Sequence, residues 1–430
     1  MEVKPRSIKQ SNAWWERALN VIMDGTQLYS KGPTINVKGV SPIYLQRGQG
    51  SHVWDVDGNE YIDYGMAVGS IALGYNHPKV KEAIARQLDD GTNFSIVHPT
   101  EVEAAEALCE IIPAAELVKF EKTGSAACSQ CVRIARAYTS REIIIKGEYH
   151  GYHDWTMAST KRNAGIPKAM RDTVIFVDYG KLSEYERVFA EHPGEIAAIY
   201  TEPVILEPVE ASYLQALKDL CHRNGALLIF DEVISGFRWD MGGAQKYYGV
   251  TPDLASFGKA IANGMPLSAC VGRRDVMNAV KDKVFLSTTF GGETLSLAAC
   301  VANIKTMQEE NAITRIWEVG QQIQTNSNEM ARSLGIDIKC IGFAPRIDFL
   351  FNDLDGRPSD EVRTLFLQEL HKRGVLTGWA QFASAAHSAQ DVEYTLAAFE
   401  DAMSICKTAL HDGHWSQYLE GDIARPIDVL

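Results

Sequence analysis

The sequence predicts an α/β protein: a mostly parallel central sheet flanked by helices, with a smaller α+β domain beside it. Two observations predict it. From about residue 78, short apolar runs alternate with segments of helical period, and most of the runs are too short to be helices. Both ends of the chain have a different, mixed texture, with no internal repeat and no low-complexity linker.

Residues 1–75 are irregular and aromatic-rich. Hairpin chemistry shows where Tyr44–Gly48 and His52–Asp55 flank Gly50-Ser51, and where Asp57-Gly58-Asn59 turns the chain into 61–64. Pro78 opens a helical pattern, and 101–112 forms another. Strands are expected at 117–121, 142–146, 173–177, 196–201, 226–233, 254–257 and 269–272, which reads as a sheet buried on both faces. Long helices follow near 295–310 and 314–334. The tail offers strands at 337–342 and 346–351 and helices near 359–373 and 389–408. The expected division is an amino-terminal segment 1–75 belonging to the small domain, a large domain 76–324 and a carboxyl-terminal small domain 325–430.

The 430 residues are 46% hydrophobic and 23% charged, the profile of a soluble globular protein. A net charge of −13 argues against nucleic acid or an anionic membrane as partner, and small-molecule chemistry fits better. Eight cysteines form no framework. Cys128 and Cys131 make a C-x-x-C without a second pair for zinc, and read as small residues packing on a helix. The leading residues carry no apolar signal core, so a reduced, cytoplasmic protein is expected.

In an open α/β sheet, ligands gather at the carboxyl ends of the strands. Lys119–Ala127 reads as strand, glycine turn and helix start; with Ser125 as cap, its N–H groups suit a phosphate, or form an ordinary cap. No G-x-G-x-x-G or Walker glycine pattern is present, which disfavours nucleotide hydrolysis and NAD chemistry. Past the next strand, Tyr149 offers a face for a planar ligand. His150, His153 and Asp154 lack a metal-ligand pattern elsewhere, so hydrogen-bonded histidines are preferred and no metal is expected.

Asp231 ends an apolar strand, where a carboxylate needs either a salt bridge or a cationic ligand group. Val233 falls on the same side two residues on. Lys259 stands on a tight turn in Phe257-Gly258-Lys259. A lone loop lysine is usually solvated, yet an acid and an amine so placed are what pyridoxal phosphate (PLP) needs, for its ring nitrogen and its aldehyde. The hydroxyl- and glycine-rich loop Ser287–Glu293 is a second candidate phosphate contact.

Three long segments, Phe230–Arg238, Tyr248–Leu254 and Phe257-Gly258-Lys259, closely resemble the class III PLP-dependent aminotransferases. So do Val53–Tyr64, Gly74–Pro78 and Tyr149-His150-Gly151, and the best branch is the glutamate-1-semialdehyde aminomutases and their relatives. The resemblance implies the PLP-dependent transferase fold, fold type I, like aspartate aminotransferase. It implies that Lys259 is the Schiff-base lysine that also moves the proton, and that Asp231 partners the pyridine nitrogen. Gly124 and Ser125 match the phosphate loop, Tyr149 and Val233 the two ring faces, and Glu202 a family glutamate near the cofactor. Thr289 matches a threonine reaching the neighbouring subunit's phosphate, which implies a homodimer with its active site at the interface.

Several positions depart from that branch. Ile234 agrees with the aminomutases, whereas Ala126-Ala127 and Gly292-Glu293-Thr294 do not. The branch's substrate-carboxylate arginine falls near Pro33 and its pocket tryptophan near Val68, leaving Lys31 and Val68 as the substrate-side candidates. The resulting expectation is a transaminase moving an amino group from a donor such as glutamate to a ketone or aldehyde, a keto-sugar for instance. The alternative is internal amino transfer, an aminomutase. A non-catalytic binding protein that keeps the fold is the remote third reading.

Overall fold

The structure is a computed structural model that describes residues 6–378 and 380–425, so the leading residues 1–5 of the signal-core argument lie outside it. The described residues form two compact units, 6–77 with 314–425, and 78–313. The division thus falls at 77/78 and 313/314.

The first unit contains β1 (Leu45–Gln49), β2 (His52–Asp55) and β3 (Glu60–Asp63), paired antiparallel in sequence. After Asp63 the chain does something composition does not announce. Met66, Ala67, Val68 and Gly69 all have positive φ (43°, 50°, 59° and 79°), a left-handed turn. Each non-glycine residue there costs about 1–2 kcal/mol. Asp63 holds the entry to the turn, accepting from the amides of Gly65 (2.7 Å) and Met66 (3.1 Å) and from the Tyr75 hydroxyl (2.6 Å).

The second unit holds the central sheet: β4 (Leu117–Glu121), β5 (Ile143–Lys146), β6 (Val174–Phe176), β7 (Ile196–Thr201), β8 (Leu227–Glu232), β9 (Leu254–Phe257) and β10 (Ser268–Gly272). Their spatial order is β4-β10-β9-β8-β7-β5-β6. β6, β5, β7, β8 and β9 are parallel neighbours, whereas β10 runs antiparallel to both β9 and β4. Every residue of β7, β8, β9 and β10 is buried, which explains their unbroken apolar runs. The parallel strands end along one edge, and that edge collects the loops after β4, β5, β7, β8 and β9.

The chain then returns to the first unit. There β11 (Ile338–Phe343) and β12 (Arg346–Phe351) form a hairpin, and β13 (Val375–Leu376) adds to β3 in parallel. Phe349, Phe366 and Phe399 meet at centroid distances of 5.4–5.6 Å and bind this hairpin to the helices Asp360–Lys372 and Ala389–Asp412. Among the described residues no helix is long and apolar enough to cross a membrane.

Candidate active site

Asp231 and Glu232 are adjacent acids, and the period of the strand sends them to opposite faces of β8. Glu232 is structural. It accepts from the amides of Ala244 (2.8 Å) and Gln245 (2.7 Å) at the start of the helix Ala244–Tyr248 and from the hydroxyl of Ser235, and burial pushes its carboxyl up to about 7. Asp231 faces the ligand edge. Its Oδ1 accepts from the Val233 amide at 3.0 Å and from Ser256 Oγ at 3.3 Å, while its Oδ2 accepts from His150 Nδ1 at 2.7 Å.

His150 is fully buried, and burial alone would lower its pKa. The Asp231 and Glu148 carboxylates overcome that and hold the imidazole up at about 9. The ring is therefore an imidazolium at neutral pH. It lies parallel to Trp155 at 6.2 Å and tilted against Tyr200 at 4.6 Å. Tyr200 in turn bonds Ser256 at 2.7 Å, and the Cys128 thiol reaches Ser256 Oγ at 3.4 Å. Cys128 of the C-x-x-C thus stands beside Asp231, and Cys131 packs its sulfur 3.2 Å from Cys270. The two candidate histidines do not share a site, since His153 turns to Ser129 (2.7 Å).

The glycines around Asp231 let the loops approach one another closely. A Cβ on Gly124 would lie 3.0 Å from Val233 Cγ1, and one on Gly258 would lie 3.3 Å from the same atom. Gly124, Val233 and Gly258, from the loops after β4, β8 and β9, therefore converge. The helix Gly124–Thr139 starts here, but its cap is Thr123 rather than Ser125. Thr123 has the extended backbone a cap requires and accepts from the Ala126 amide at 3.2 Å. Ser125 is already in the first turn, where its hydroxyl accepts from the Tyr152 amide at 3.3 Å. Gly151 packs onto Ser125 so closely that a Cβ would fall 2.2 Å from its Oγ.

Lys259 opens the short turn Lys259–Ala262 with φ 46°, a left-handed conformation rare for a residue with a side chain. It is half-buried, and its charge is felt at the Cys128 thiol, which places it near the Asp231 cluster. Tyr149 is half-exposed, and burial with the charges of Cys128, Tyr152 and Asp231 raises its hydroxyl pKa. The Glu202 amide donates to Glu148 Oε2 at 3.3 Å.

Thr289 is exposed. It lines an open concavity of about 1140 Å³ with Phe94, Ile96, Val97 and Val102. Glu293, where the branch has asparagine, caps the helix Thr294–Glu309 and pairs with Lys122 at 2.9 Å. Lys31 and Val68 belong to the first unit. Lys31 is exposed at the end of the turn Tyr29–Lys31, and Val68 is half-buried in the left-handed turn.

Residues 35–380 match the family model of aminotransferase class-III. The chain is 32% identical over 419 residues to glutamate-1-semialdehyde 2,1-aminomutase of Sulfurihydrogenibium azorense, covering 91% of this chain and 97% of that protein. It is 35% identical over 401 residues to glutamate-1-semialdehyde 2,1-aminomutase 2 of Lachnoclostridium phytofermentans, covering 85% and 93%. Among solved structures it is similar to a transaminase with PLP bound, at TM-score 0.87 and 25% identity over 95% of this chain and 100% of that one. The central sheet with its smaller partner domain is the fold type I arrangement of PLP transferases. The chain belongs to the class-III aminotransferases, enzymes of PLP-dependent amino transfer.

Proposed function

We propose that Lys259, Asp231 and the converging turns of Gly124, Val233 and Gly258 form the PLP site. The carrying observation is Asp231, a carboxylate fixed by an imidazolium and an amide at the ligand edge of the sheet, next to the cradle of Gly124, Gly258 and Val233. Asp231 Oδ2 has one strong donor, His150, and otherwise only the Cys128 thiol at 3.8 Å, which a ring N–H would displace, so the residues present fit the cofactor. When bound, PLP supplies an electron sink for a carbanion at the amino-bearing carbon.

The chain's own residues do the rest. Asp231 keeps the ring nitrogen protonated through a charged hydrogen bond. The free amides at the start of the helix Gly124–Thr139, with the Ser125 hydroxyl, hold the phosphate. Tyr149 and Val233 cover the two ring faces, and Glu202 lines the rim. Lys259 would hold the aldehyde carbon until a substrate amine displaces it, and its freed amine would then carry a proton between the two carbons that exchange it.

For the substrate, the aminomutase relatives weigh toward internal amino transfer more than toward the two-substrate reaction that the sequence favours. One observation keeps the second reading: Pro33 and Val68 stand where that branch has its carboxylate-binding arginine and pocket tryptophan. Such a pocket suits an acceptor lacking a simple α-carboxylate. Turnover of glutamate-1-semialdehyde without added amino donor supports the mutase. Strict dependence on a donor such as glutamate, with a ketone or aldehyde acceptor, supports the transaminase. Failure of both on a broad panel overturns the proposed reaction.

The site is completed, in this reading, by a second copy. Phe94 (46% exposed), Ile96 (81%) and Val97 (79%) line the concavity of Thr289, and Phe285 (78%) and Phe290 (55%) are exposed close to it in sequence. Patches of that kind mark association surfaces. A homodimer would cover them and bring Thr289 to the partner's phosphate. All eight cysteines are thiols, which suits the cytoplasm.

A further inference from the structure

Glu148 lies between β5 and Tyr149. Its side chain is 12% exposed. Its Oε2 accepts from Thr201 Oγ1 and from the Glu202 amide, each at 3.3 Å, and lies 3.5 Å from His150 Nε2. That last approach is an ion pair rather than a hydrogen bond, since His150 Nε2 is buried without a hydrogen-bond partner. The imidazole is thus held between two carboxylates, Asp231 on its Nδ1 and Glu148 on its Nε2.

We propose that Glu148 is a positioning residue for the reaction: it anchors the far nitrogen of His150, and through the imidazolium it fixes the charge and direction of Asp231. The inference rests on the placing of the ring nitrogen at Asp231.

Three features support it. Glu148 is anchored from β7 by Thr201 and Glu202, so it is a fixed charge rather than a mobile one. Lys146, buried on β5, donates to the Glu148 carbonyl at 3.0 Å and adds a compensating positive charge. The remaining walls of the imidazole are not ionised: Tyr200 from β7 and Trp155 from its helix are neutral rings, and burial raises the Cys128 thiol far above its usual pKa. Glu148 and Asp231 are therefore the two charges that decide whether His150 carries its second proton. A neutral imidazole would leave Asp231 with a weaker partner and free to turn from the ring nitrogen.

The test is Glu148→Gln, which keeps the shape and removes the charge. Histidine-selective NMR of the apoprotein and of the PLP-loaded protein should show the His150 titration midpoint falling by at least one unit, a tenfold loss of proton affinity. PLP affinity should fall in parallel, and Glu148→Asp should restore both. In a His150→Gln background, Glu148→Gln should cost no further PLP affinity. An unchanged His150 midpoint overturns the proposal. So does an equal loss of PLP affinity with and without His150, since Glu148 would then act only through Thr201 and Glu202. Failure of the Asp231 assignment looks different: Asp231→Asn would keep full PLP affinity, while the apoprotein titration would still report on Glu148.

Discussion

His150 Nδ1 donates to Asp231 Oδ2 at 2.7 Å, joining the loop after β5 to the end of β8 across the intervening β7. The pair has a pH signature. His150 is raised from 6.5 to about 9, so its contribution to stability is fully present below about pH 6.5 and is lost as pH rises through about 9. Each pKa unit corresponds to about 1.4 kcal/mol. Denaturant unfolding of the apoprotein from pH 6 to 10 should show the native protein losing stability relative to His150→Gln across that window. A constant difference would contradict the pairing.

Gly151→Ala tests whether Ser125 holds the cofactor phosphate. The added methyl meets Ser125 Oγ at 2.2 Å, in a backbone at φ 97° that an L-residue rarely adopts. Ser125 must move, and PLP affinity measured by equilibrium dialysis should fall about tenfold or more, a loss of about 1.4 kcal/mol or more. Unchanged affinity would remove Ser125 from the phosphate site.

The left-handed turn at 66–69 predicts an unusual stabilisation. Ala67 has φ 50° and ψ 47°, which costs it about 1–2 kcal/mol. Glycine removes that strain and loses about 0.4–1 kcal/mol through the unfolded chain. Ala67→Gly should therefore gain about 0.5–1 kcal/mol, seen as a higher urea midpoint at constant slope. A lower midpoint would mean that the turn is not strained.

Association is tested on the apolar surface. Ile96→Asp places a charge on a residue that is 81% exposed in the isolated chain. If a second copy covers it, sedimentation should show a dimer becoming a monomer, with PLP affinity reduced by loss of the partner's Thr289. A native protein that is monomeric at working concentration would contradict the shared site.

Much of this site is legible in the sequence because its chemistry sits at strand ends. The acid closing the apolar run of β8 and the amine after β9 can be found without coordinates. The partner of Asp231 could not be, because β5 and β8 are not neighbours and only the sheet order brings His150 to it. The cap falls on Thr123 rather than Ser125, since both are good caps by type and only the backbone separates them. Met66-Ala67-Val68 gives no hint of positive φ, since none of the three favours it. Cys128 reads correctly as a helix-packing residue, yet its contact with Asp231 comes from packing across the sheet.

The central claim is that Lys259 holds the cofactor. Borohydride reduction of the PLP-loaded protein followed by peptide mapping tests it most directly. The expected result is a pyridoxyl group on Lys259 and its loss in Lys259→Ala. A label on another lysine, the buried Lys146 for example, or a label that survives Lys259→Ala, would contradict it.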